Sequence, residues 1–238
     1  MRFDILTIFP ETIYNYCSES ILGRAQKAGL IKIGAHNFRD YTADKHHRVD
    51  DSPYGGGPGM VLQVQPIYDC LKALGVLSLR GTRLGRGRSN LQNKKIAALP
   101  TVARNDSRTK IIIMDPAGKK FDQKMAEKFS KLERLVIISG RYEGFDERIY
   151  KFVDEKISVG DYVLAGGELP ALTVMESVSR LLPGVLGNEE SLKEETIVGK
   201  NEYPQYTRPE DFMGLKVPKI LISGDHQKIA EWRKKYSS

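Results

Sequence analysis

Apolar positions recur in short runs divided by polar punctuation, alternating between strand-like and helix-like spacing. Residues 2–9, with Ile5, Ile8 and Phe9 apolar, predict a first strand, and Pro10 before Glu11 is well placed to begin a helix. That helix is predicted to break near Ser18, with a second piece over 19–28 stopped by Gly29 and a strand over 30–35. Periodicity is then lost over 39–60, and Pro66 starts a helix reaching Leu74. Further on, 110–114 is an unbroken apolar strand, 122–132 a helix, 135–139 a second buried strand and 169–182 a helix with Pro170 in its first turn. Polar residues 189–200 suit a linker, followed by a short helix near Pro209 and a terminal one over 225–235. The pattern is that of βαβ units, hence an α/β fold.

Such sheets place ligands at the carboxyl ends of their strands. Three loops fall there: Asp115-Pro116-Ala117-Gly118, a second from Ser139 to Gly144, and a third from Ser158 to Glu168. Their glycines let backbone approach a ligand closely. No GxxxxGK[ST] occurs and no GxGxxG joins a strand to a helix, so phosphate cradling is disfavoured. In Gly140-Arg141-Tyr142-Glu143-Gly144-Phe145-Asp146-Glu147-Arg148, an aromatic face, a carboxylate and guanidiniums follow a buried strand. A purine could stack on Tyr142 and donate its Watson–Crick edge to Glu143. The competing reading is a helix N-terminus rich in ion pairs. Gly55-Gly56-Gly57-Pro58-Gly59 follows no predicted strand and by itself means only a tight turn.

Charge changes the picture in one place. The 238 residues carry a net charge of +7. Between 80 and 110, nine Lys and Arg residues face Asp106 alone, so the remainder of the chain is close to neutral. A segment of this kind either contacts RNA phosphates or serves as a solubilising loop. Cys17 and Cys70 lack CxxC spacing and are read as buried thiols, which disfavours zinc. His36, His46, His47 and His226 are scattered and are read as surface imidazoles. Trp232 is read as one buried aromatic on an ordinary helix. No apolar run of membrane-spanning length and no signal-like N-terminus occurs, so the expected location is the cytoplasm.

Longer strings carry a specific likeness. Asp44-Lys45-His46-His47-Arg48-Val49-Asp50-Asp51-Ser52-Pro53-Tyr54-Gly55-Gly56-Gly57-Pro58-Gly59-Met60, the stretch Gly140 to Arg148, that from Gly160 to Pro170, Pro183-Gly184-Val185-Leu186-Gly187 and Tyr206-Thr207-Arg208-Pro209 closely resemble bacterial tRNA (guanine-N1) methyltransferases, the TrmD family of the SPOUT superfamily. The resemblance implies an α/β SPOUT-type domain with a deep trefoil knot over 1–183, containing the basic insert 80–110. It further implies a linker over 184–200, a small helical tRNA-contacting domain over 201–238, and an obligate homodimer with shared active sites. S-adenosylmethionine is then expected against Pro116, Gly140, Val159, Gly160, Asp161, Tyr162, Val163, Leu164, Gly166 and Gly167.

Members of that family methylate N1 of the guanosine just 3′ of the anticodon when another guanosine precedes it. The resemblance assigns the guanine to Glu143 and Tyr142, with Pro58 and Gly59 nearby. It assigns negative charge on guanine O6 to Arg180. The general base of the family is an aspartate contributed by the partner subunit. Aligning the flanking motifs puts Glu195 there, a departure that keeps the carboxylate and adds a methylene; Glu194 is the alternative. A magnesium requirement is implied in the same way. Two rival readings are a non-catalytic RNA-binding protein on this scaffold, which turnover would separate, and a SPOUT enzyme with another RNA target, which the methylated nucleoside would separate.

Overall fold

The computed structural model describes residues 1–77, 108–187 and 202–237. It divides into two compact units, Met1–Val185 and Leu186–Ser238. The first is built on strands β1 (Arg2–Thr7), β2 (Lys32–Asn37), β5 (Thr109–Lys120), β6 (Arg134–Ile138) and β7 (Glu155–Ser158). They form one five-stranded sheet in the order β2-β1-β6-β5-β7, and every pairing is parallel. A small antiparallel pair, β3 (Asp50–Asp51) with β4 (Val61–Leu62), stands apart from it. The basic segment 80–110 lies outside the described residues except for 108–110.

Both faces of the parallel sheet are covered, which is why its strands are almost continuously apolar. Phe3, Ile5, Ile112, Met114, Leu135 and Ile137 point to one side, beneath α1 (Pro10–Cys17), α2 (Ser20–Lys27), α4 (Gln123–Phe129) and α5 (Glu168–Arg180). Their neighbours in sequence, Leu6, Ile111, Ile113, Val136 and Ile138, point to the other, against Ile67, Cys70 and Leu71 of α3 (Val64–Ala73). Local chemistry sets the ends of these helices. Pro10 occupies the first turn of α1, and the Asp122 carboxylate accepts the Met125 N–H at 2.8 Å to cap α4. Gly29 adopts φ +72° just beyond α2, where its lack of Cβ permits the left-handed turn.

One charged group sits inside the sheet. Asp4 is fully buried, and its carboxylate accepts hydrogen bonds from Arg2 at 2.7 Å and Arg134 at 2.7 Å and pairs with His36 Nε2 at 2.7 Å. His36 was expected as a surface imidazole; the buried carboxylate draws it inward instead. Burial alone would raise the Asp4 pKa, but the bonds from His36, Arg2 and Arg134 outweigh it and hold the carboxyl well below the usual carboxylate range. Cys17 and Cys70 are free and buried, and burial pushes both thiols up to about 12.

The second unit contains an antiparallel hairpin of β8 (Asp211–Phe212) and β9 (Leu215–Lys216), a 3-10 turn at Lys219–Ile222 and α6 (His226–Tyr236). The hairpin replaces the short helix expected near Pro209. Its two linking residues, Met213 and Gly214, have φ +53° and +87°, the left-handed pair that a two-residue hairpin loop requires. Trp232 gathers the rings of Tyr203, Tyr206 and Tyr236 around it at centroid distances of 6.4, 6.3 and 4.7 Å. Among the described residues no helix is long and apolar enough to cross a membrane.

Replacing Asp4 by Asn should destabilise the first unit by about 3 kcal/mol, because two guanidiniums then face an uncharged amide. Urea unfolding at neutral pH measures it. A carboxyl whose pKa is depressed on folding contributes its stability above the unfolded value, and loses it as pH falls from about 4 toward the lower folded value. The difference between wild type and Asp4→Asn should therefore be present at neutral pH and shrink as pH falls below about 4.

Candidate functional site

The ends of β5, β6 and β7 enclose a cavity of about 440 Å³, within the size range of small-molecule sites. At β5, Met114 and Lys119 both register against Ile157, so residues 115–118 are extruded from the sheet as a bulge. Gly118 allows this, since a Cβ there would lie 2.5 Å from the Ile157 nitrogen. Asp115 and Pro116 thereby line the cavity. The Asp115 carboxylate accepts the Ala117 N–H at 2.8 Å and the Tyr150 hydroxyl at 2.5 Å.

At β6, Gly140, Tyr142 and Glu143 line the cavity as expected of the purine-binding string. A Cβ on Gly140 would meet the Phe145 ring at 2.6 Å. The loop is stitched to the glycine-rich hairpin: the Glu143 N–H donates to Met60 O at 3.0 Å, and the Leu62 N–H donates to Gly144 O at 2.9 Å. Gly59, with φ +80°, leaves room for Glu143, whose Cγ would be 2.4 Å from a Cβ there. The turn that meant little by itself therefore backs the Glu143 side chain. Pro58 precedes it on an exposed stretch outside the cavity lining. The ion-pair alternative is present as well, because Asp146 caps the 3-10 turn Glu147–Phe152 and pairs with Arg148 at 2.5 Å.

At β7, Val159, Tyr162, Val163 and Leu164 give the third wall an apolar and aromatic character. Tyr162 and Val163 are 58% and 83% exposed. Gly160 and Asp161 lie outside the lining; a Cβ on Gly160 would strike the Tyr162 ring, and Asp161 pairs with Lys120 at 2.5 Å. Gly166 and Gly167 close the cavity. The Gly167 N–H donates to Gly140 O at 2.8 Å, and a Cβ on Gly167 would sit 2.8 Å from Ser139 Cα.

A partly buried ion pair between residues 27 apart in sequence joins these walls. Glu168, 2% exposed at the start of α5, accepts the Thr7 hydroxyl at 2.7 Å and the Arg141 guanidinium at 3.0 Å. The guanidinium also stacks over Phe9 at 4.7 Å. A Cβ on Gly166 would lie 2.2 Å from Arg141 Nε, so that glycine makes the pairing possible.

Arg180 is not part of this cavity. It ends α5, about 18 Å along the helix from the Glu168 end at 1.5 Å per residue. Glu194 and Glu195 lie outside the described residues. Among the described residues no group of three or more His, Cys, Asp or Glu could hold a metal ion.

Glu168→Gln keeps an acceptor for Thr7 but removes the charge facing Arg141, and should destabilise the fold by about 2 kcal/mol. Comparison of its urea midpoint with that of wild type measures this, and an unchanged midpoint would mean that the pair contributes nothing net.

Comparison with known proteins adds the family. The profile described as "tRNA (Guanine-1)-methyltransferase TrmD" matches residues 1–83 and 85–238. A protein of Clostridium acetobutylicum named tRNA (guanine-N(1)-)-methyltransferase is 44% identical over 236 residues, covering 99% of this chain and 85% of the relative. Its namesakes in Ruminiclostridium cellulolyticum and Pediococcus pentosaceus are each 46% identical, covering 100% and 98% of this chain and 91% and 85% of their own lengths. With an all-parallel sheet, a cavity at its carboxyl edge and similarity along its whole length, the chain belongs to the tRNA (guanine-1)-methyltransferase family.

Proposed function

We propose that this protein transfers a methyl group from S-adenosylmethionine to N1 of the guanosine immediately 3′ of the tRNA anticodon. The observation that carries the reading is the match to the family from end to end. The cavity supports it chemically. Its β7 wall of Val159, Tyr162, Val163 and Leu164 suits an adenine ring, and Gly140, Gly166 and Gly167 keep the other walls close enough for backbone contact. Glu143, at the β6 edge, suits the donor groups of a guanine edge, and Tyr142 offers it a face.

S-adenosylmethionine supplies an already activated methyl on its sulfonium. The protein's part is in-line orientation of guanine N1 and removal of its proton. Glu195, or Glu194 beside it, serves as the base, and Arg180 stabilises charge on guanine O6. The distance of Arg180 from the cavity along α5 supports a site completed by the partner subunit of a homodimer. In this reading 1–183 is the knotted cofactor-binding domain, 184–200 the linker and 201–238 the tRNA-contacting domain. The basic segment 80–110 meets phosphates. The enzyme acts in the cytoplasm.

Two transcripts differing only in guanosine or adenosine just 3′ of the anticodon test the activity. With labelled methyl donor, the first alone should yield 1-methylguanosine; label in neither, from folded protein that binds tRNA, would leave an RNA-binding protein without turnover. Glu195→Gln should bind the donor normally and lose methyl transfer by roughly 100-fold or more. Glu194→Gln is its matched control, and a reversal of the two would move the base by one residue.

A further inference from the structure

A lysine-rich surface of the first unit lies outside the cavity and takes no part in the chemistry above. Its base is the outer strand of the sheet, β7, with β5 beside it. Ile112 and Ile157 of these strands pack on the α4 side, and Lys110 and Glu155, each two residues earlier, face the same way. Glu155 accepts a hydrogen bond from Lys110 Nζ at 2.5 Å and lies 3.7 Å from Lys128 Nζ of α4. Lys119, in register with Ile157 beyond the bulge, adds a third positive charge nearby. Burial alone would raise the Glu155 pKa, but the three ammonium groups outweigh it and hold the carboxyl below its ordinary value. One carboxylate against three ammonium groups leaves an excess of positive charge.

The outer face of α4 extends that excess. Met125, Ala126 and Phe129 turn inward, and Lys124, Lys128 and, just past the helix end, Lys131 stand exposed at the i, i+4, i+7 spacing of one face. A merely solubilising helix face pairs opposite signs at this spacing. Here Lys119, Lys124 and Lys131 have no ion-pair partner among the described residues, and even Glu127, four residues before Lys131, makes no pair with it. Like charges held in a row about 10 Å long suit a partner whose negative charges recur along a line, as phosphates do along a nucleic-acid backbone. Two features of the chain select the substrate RNA. The basic segment 80–110 enters the described structure at 108–110, on this edge of the sheet. At its other end the surface reaches Lys119, directly after the bulge whose Asp115 and Pro116 line the cavity. We infer that the lysines of α4 and the β5–β7 edge form a track for backbone phosphates of the tRNA, leading to the rim of the cavity. This rests on the tRNA reading above and adds to it a substrate-holding surface on the first unit.

The test is binding of a tRNA transcript by the full-length protein at a series of salt concentrations. The combined variant Lys124→Ala, Lys128→Ala, Lys131→Ala should bind about tenfold or more weakly near about 100 mM salt, and its slope of log affinity against log salt should be smaller by about 2–3. Its affinity for S-adenosylmethionine should be unchanged, since none of the three lines the cavity. In methyl transfer the loss should fall on KM for tRNA and leave kcat within about twofold. Arginine at the same three positions should restore both affinity and slope. A charge-matched control replaces Arg24, Lys27 and Lys32 by Ala, on α2 and at the start of the opposite edge strand β2, and should change the slope by less than about 1.

An unchanged slope with methyl transfer intact would overturn the inference alone. An equal fall in slope from the control variant would also overturn it, by reducing the effect to net charge. A slope lowered by the α4 variant, in protein whose wild type transfers no methyl, would sink the methyltransferase reading and leave the surface standing. Wild type tests the surface without any substitution: bound tRNA should protect Lys119, Lys124, Lys128 and Lys131 from acetylation, read by mass spectrometry, and equal labelling with and without tRNA would overturn the inference.

Discussion

Backbone meets backbone where Gly167 packs on Ser139 and Gly140, with an N–H to carbonyl bond of 2.8 Å and no space for a side chain on Gly167. The cavity takes its depth from that contact. A Cβ there would push the start of α5 away from the end of β6 and part the walls that carry Glu143 and Leu164. The contact is reinforced from behind by Glu168, whose carboxylate reaches Thr7 at the end of β1 and Arg141 in the β6 loop. A buried carboxylate is tolerated here because both oxygens are satisfied and the N-terminus of α5 adds its partial positive charge.

Around that contact the three loops divide the chemistry by position in the sheet. The β7 loop is apolar and aromatic, the β5 bulge holds one oriented carboxylate, and the β6 loop presents a carboxylate and a tyrosine toward the cavity edge. Parallel strands bring loops far apart in sequence side by side, and the order β6-β5-β7 rather than the order along the chain decides which group faces which part of a ligand. The glycine-rich hairpin is drawn in through its hydrogen bonds to 143–146, so a segment without periodicity of its own acquires a defined place.

Much of this was legible beforehand. Unbroken apolar runs marked the strands at 110–114 and 135–139, and the strand-end rule pointed to the three loops that do enclose the cavity. Strand β7 was not read, because Glu155-Lys156-Ile157-Ser158 has only one apolar side chain to show. The hairpin at 211–216 was missed because its signal is Met213-Gly214, and methionine is not a residue that advertises a left-handed turn. Asp115 and Glu168 fall within loops that the strand-end rule picks out, but their side-chain roles, and Tyr150 altogether, escape a reading of the sequence for another reason. Their significance comes from partners 161 and 35 residues distant, which no local pattern encodes.

Those separations bear on how the molecule is made. Strand β1 has β6 as a sheet neighbour, more than a hundred residues later, and Thr7 finds Glu168 only at a separation of 161 residues. At about 5–20 residues per second of synthesis, the nascent chain spends on the order of ten seconds with β1 and β2 formed in sequence but lacking that central neighbour. Through that interval the edge of β1 destined for β6 is an unpaired row of amides and carbonyls beside Leu6 and Ile5, the kind of surface on which chains aggregate. The buried carboxylate of Asp4 lies in that same strand. Before Arg134 arrives its partners are Arg2 and His36 alone, and this charged cluster on an unpaired strand disfavours pairing with another copy.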